Sequence, residues 1–159
     1  MTVNTLISTY NKTGKFDKEL VKYVLEYGRE ELISEVASKP NRKFALDLLD
    51  KVIEERQNED YEIGTGDNIM LASYLVGLHK QVEDSLAIWN AKRIDFDSYC
   101  YVDIQLVVFA GIDKTLNYLE GSDKEDSTEA IEYIKGCHEA GDFDELEDYF
   151  SMKKLPWWV

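Results

Sequence analysis

Apolar residues recur along most of this chain at helical spacing. Between Asp17 and Ser38, Leu20, Val21, Val24, Leu25, Leu32, Ile33 and Val36 keep the three-and-four rhythm of one buried helix face. Gly28 interrupts the stretch and predicts a split or kink, because glycine is a poor helix interior residue. Ser38-Lys39-Pro40 reads as a stop and a restart, with Pro40 in the first turn of the next helix. Phe44, Leu48, Leu49, Val52 and Ile53 form the next stripe, ahead of a polar run at 54–60. IGTGDN is then a loop, with Asp67 as the N-cap of the apolar helix that follows.

His79-Lys80-Gln81 predicts a tight turn into a helix lined by Val82, Leu86 and Trp89, so that 67–94 forms an αα-hairpin. The stretch from Asp97 to Gly111 is apolar nearly all round, which as a helix means a central buried one, ended by Gly111. The alternation in YVDIQL also fits a strand. Its helical surroundings offer a strand no partner, so helix is the expectation over 97–110. Shorter helices follow at 115–119, 128–140 and 144–152.

Phe16-Asp17, Phe96-Asp97 and Phe143-Asp144 each stand at an expected helix start. An Asp N-cap accepts bonds from free backbone N–H groups, and a preceding Phe can staple onto the first turns, as Phe16 onto Val21 and Phe96 onto Tyr101. The third pair lacks an apolar partner at that offset, where Asp148 stands. The fold class is therefore all-α: an irregular stack of antiparallel helix pairs, short-solenoid-like or a bundle, of about 7–9 helices. No linker-like stretch divides the chain, and 1–159 reads as a single helical domain.

Composition narrows the functions. Hydrophobic residues make up 44% of the 159, enough for a real core, and the net charge is −14. That charge repels nucleic-acid phosphates and anionic membranes and favours encounter with basic partners. The first residues carry no basic-then-apolar leader, and no apolar run approaches the length that spans a bilayer. Two cysteines without CxxC spacing are too few for a disulfide framework, which makes a reducing cytoplasm the expected location.

Candidate chemistry is sparse. Asp95, Asp97 and Asp103 are the best cluster for a metal or acid–base site, but Asp97 is accounted for as a cap, and Asp103 lies nearly two helical turns on, off its stripe. Asp103 sits between Val102 and Ile104, and a carboxylate there needs a partner such as Arg93, Lys114 or a helix N-terminus. Cys137 and His138 are sequence neighbours, so on a helix they diverge by about 100° and do not chelate one ion. Gly64-Thr65-Gly66 lacks the Lys-Ser/Thr of a phosphate loop. No catalytic, cofactor or metal residue is assigned.

Charge distribution says more. Between Glu120 and Asp148 twelve acids face two lysines, so ten of the fourteen net negative charges lie in this segment. A solvated face ordinarily mixes signs, as the earlier part of the chain does. This concentration marks a binding surface for something basic, with Glu125, Asp126, Glu129, Glu132, Glu139, Asp142, Glu145, Glu147 and Asp148 as its contact residues. The leading expectation is a non-catalytic protein-binding module. One concrete form is an immunity protein that blocks the phosphate-binding cleft of a basic, nuclease-type toxin. A helical scaffold or regulatory subunit is the second reading, and a metal-dependent enzyme using Asp95, Asp97 or Asp103 the third. Trp157 and Trp158, after helix-stopping Pro156, are expected to fold back over an open end of the stack, with a partner hook as the alternative.

Overall fold

The computed structural model describes every residue except Lys124. Among the described residues the chain forms ten α-helices, eight of them of at least seven residues, and no strand. The expected all-α class and packed helical architecture are what is seen. Contacts group the chain into two units, Met1–His79 with Trp158–Val159, and Lys80–Trp157. The division falls in the turn at His79, so the two arms of the expected hairpin belong to different units.

The first unit opens with a helix that the pattern reading passed over, α1 (Val3–Thr13). Thr2 caps it by accepting from the Thr5 amide, and Val3, Leu6 and Tyr10 are its buried face. Gly14 ends it in the left-handed region, at φ 66°. Asp17 caps α2 (Lys18–Tyr27) as expected, accepting from the Leu20 amide at 2.9 Å. Gly28 does split the long stretch, separating α2 from α3 (Arg29–Ser38). A Cβ there would lie 3.0 Å from a Val3 methyl, so the glycine also lets α1 come close.

Pro40 stands before the next helix and not in its first turn. α4 (Arg42–Gln57) is capped by Asn41, whose side chain accepts from the Phe44 amide. Likewise Thr65, not Asp67, caps α5 (Gly66–Gly77), accepting from the Asn68 amide at 3.1 Å. A threonine at that place satisfies the same free amide, and Asp67 is left in the first turn, where its charge suits the helix dipole. α5 is the central buried helix of this unit: every residue from Asn68 to Gly77 is buried. Phe16 stacks on Tyr10 and meets Phe44 edge-on, which gives it aromatic partners.

The second unit carries the largest correction. The expected continuous helix over 97–110 is α7 (Phe96–Tyr101), an extended break at Val102 and Asp103, and a 3-10 turn at Ile104–Leu106. Asp95 and not Asp97 is the cap, accepting from the Ser98 amide at 2.7 Å, and Phe96 is 79% exposed and staples nothing. Before α7 runs α6 (Ser85–Lys92). After it come α8 (Ile112–Glu120) and α9 (Asp126–Glu139), which pack on each other. The last helix, α10 (Leu146–Tyr149), is one turn, and Asp144 does not cap it. No helix among the described residues is long and apolar enough to cross a membrane.

Candidate binding surface

The break at Val102 has a definable cause. Lys92, at the end of α6, is 2% exposed, and its ammonium donates to the Tyr99 carbonyl at 2.6 Å and the Val102 carbonyl at 2.5 Å. It also lies 5.3 Å and 5.4 Å from the ring centres of Tyr99 and Tyr133. A buried cation needs charge-assisted acceptors, and carbonyls released from the helix ladder supply them. Burial lowers the Lys92 pKa, and burial first raises that of Tyr133, to about 12.

The break turns Asp103 toward α10, where its carboxylate accepts from the Tyr149 hydroxyl at 2.8 Å. That is its partner, in place of the expected Arg93 or Lys114. Arg93 is held elsewhere, 2.9 Å from Asp126 and 2.7 Å from Glu129. Two of the nine predicted contact acids are therefore tied into the fold of this unit by one arginine. Glu125, Glu132 and Glu139 are exposed on or beside α9.

The other four come together around α10. Asp142, Glu145 and Asp148, with Asp144, line a cleft of about 540 Å³ whose remaining walls include Gln105, Tyr149, Lys154, Leu155 and Trp157. The Gln105 amide fixes one wall by donating to the Asp142 carbonyl at 2.9 Å. Glu145, Glu147 and Asp148 also line a neighbouring hollow that takes in Asp113. Trp157 is 67% exposed and meets Tyr101 edge-on, their ring centres 5.9 Å apart. Trp158, by contrast, is buried in the first unit with its ring edge-on to Tyr74. The paired tryptophans thus divide into one plug and one exposed ring, which the spacing WW cannot express.

Ion pairing distinguishes this cluster from several acids elsewhere in the chain. In the first unit Lys18 pairs with Asp60 and Glu55, Lys22 with Glu62, Lys43 with Asp47 and Lys51 with Glu54 and Glu55. Among the described residues no cation stands within ion-pair distance of Asp142, Asp144, Glu145, Glu147 or Asp148, although Lys154 lines the same cleft. The Cys137 thiol is half-buried, and burial, with the Asp142 carboxylate as the next cause, raises its pKa.

Asp95, Asp97 and Asp103 are not brought to one point: the first caps α7, the second is exposed in its first turn, and the third pairs with Tyr149. Among the described residues no group of three His, Cys, Asp or Glu is arranged to hold a metal ion. Sequence reasoning missed Asp113 and Gln105 as parts of this surface and reached Trp157 only through the alternative of a partner hook. Only Trp157 had a visible signal, an aromatic too large to expose without consequence beside a helix-stopping proline. No protein-family model, curated protein or solved structure matches this chain.

Proposed function

We propose that this chain is a non-catalytic protein-binding module that engages a basic protein through the acidic surface around α10, in the manner of an inhibitor or immunity protein that covers the phosphate-binding cleft of a nuclease-type toxin. The observation that carries this reading is that, among the described residues, Asp142, Asp144, Glu145, Glu147 and Asp148 have no cation within ion-pair distance, whereas Asp126 and Glu129 of the same acidic segment are held by Arg93. Carboxylates that line one cleft repel one another. A basic partner removes that repulsion, and the resulting field steers its approach.

Mixing the chain with a cationic nuclease domain and following complex formation by gel filtration tests the reading. Association is expected at low ionic strength and should weaken as salt shortens the Debye length from about 10 Å at 0.1 M. Association that ignores salt would contradict it.

A further inference from the structure

We propose that Trp157 is the anchor of this surface and that the group it receives is the guanidinium of an arginine on the partner protein. The inference rests on the binding reading above and deepens it by naming the recognised group. Three facts support it. Trp157 is exposed where its sequence neighbour Trp158 is buried. Tyr101 holds the indole edge-on and limits its freedom. The ring forms one wall of the cleft that Asp142, Asp144, Glu145 and Asp148 also line.

The chemistry of that combination is selective. An indole face attracts a cation, and the flat, weakly hydrated guanidinium stacks on it better than an ammonium does. Carboxylates in the same cleft accept the fork of guanidinium N–H donors. A cleft with carboxylates alone would take lysine and arginine with little preference; the indole supplies the discrimination. A rigid aromatic beside a charged rim is also the usual make-up of an interface hot spot.

The test uses the full chain and two short probes, acetyl-Gly-Arg-Gly-Arg-Gly amide and its lysine counterpart. Affinities are measured by titration calorimetry, and in the unsubstituted chain the indole N–H resonance of Trp157, assigned by its loss in Trp157→Phe, gives the local readout. The arginine peptide is expected to shift that resonance and to bind about threefold tighter than the lysine peptide. Trp157→Ala should erase the preference, and Trp157→Phe should keep part of it. Equal affinities with an unmoved indole overturn the anchor. If Asp142→Asn/Glu145→Gln/Asp148→Asn still weakens both peptides in that case, the acidic surface stands and the anchor alone fails. If that triple variant leaves both peptides unaffected, the acidic-surface reading falls and the anchor with it.

Discussion

The ammonium of Lys92 donates to the carbonyl of Val102 at 2.5 Å, across ten residues of chain, and this bond stands at the point where α7 stops. A second bond to the Tyr99 carbonyl makes the lysine a peg that holds the end of α7 open. Replacing it with an apolar side chain of similar length leaves two carbonyls without their donor. Lys92→Met is expected to cost about 2–3 kcal/mol in urea denaturation, from the loss of charge-assisted bonds to buried acceptors. A change within about 0.5 kcal/mol would mean the peg is dispensable.

Trp157 and Trp158 should behave as opposites although they are adjacent. Trp158 is 4% exposed against Tyr74, so Trp158→Ala is expected to lose about 3–5 kcal/mol. Trp157→Ala should stay within about 0.5 kcal/mol, since its ring is largely in solvent. Thermal and urea unfolding of the two variants, run side by side, check both values.

Alkaline pH should expose the aromatic core. Burial raises the pKa of Tyr74, Tyr99 and Tyr133, the last to about 12, so the folded chain holds these protons where the unfolded chain releases them. Their contribution to stability is full below about pH 10 and declines as pH rises from there toward the folded values. Lys92 works the other way: burial lowers its pKa, so the unfolded chain binds the extra proton and this contribution grows as pH rises up to the ordinary lysine value. Tyr133→Phe should therefore flatten the fall in urea midpoint above about pH 10. An unchanged fall would place the alkaline sensitivity elsewhere.

The apolar stripes were legible because burial follows helical period directly: Leu20, Val24, Leu32, Ile33, Val36, Leu48, Leu49 and Val52 are all buried. What was not legible depends on partners far away in the chain. Nothing local in the run from Tyr99 to Phe109 says that Lys92 will claim two of its carbonyls, so an unbroken helix was the economical expectation. Caps shifted by two residues, Thr65 for Asp67 and Asp95 for Asp97, because several nearby residues can satisfy the same free amide. α1 was passed over because its buried face is only Val3, Leu6 and Tyr10, too short a stripe to stand out. Of the acidic surface, charge gave the segment but could not sort it. Arg93 neutralises Asp126 and Glu129, while the acids around α10 meet no such partner among the described residues.

On the reading proposed above, the acids around α10 bind the partner and net charge alone does not suffice. Two triple variants with the same change in net charge separate these ideas. One is Asp142→Asn/Glu145→Gln/Asp148→Asn in the cleft; the other is Glu19→Gln/Glu30→Gln/Glu31→Gln, exposed acids of the first unit. The affinity of each for an arginine-rich cationic protein, protamine, is measured by titration calorimetry at about 0.1 M salt, where charges more than a Debye length apart are screened. The cleft variant is expected to bind about tenfold more weakly than the other, each lost contact being worth up to about 1 kcal/mol. Equal losses in the two variants would contradict it and leave the acidic segment as a solvated face.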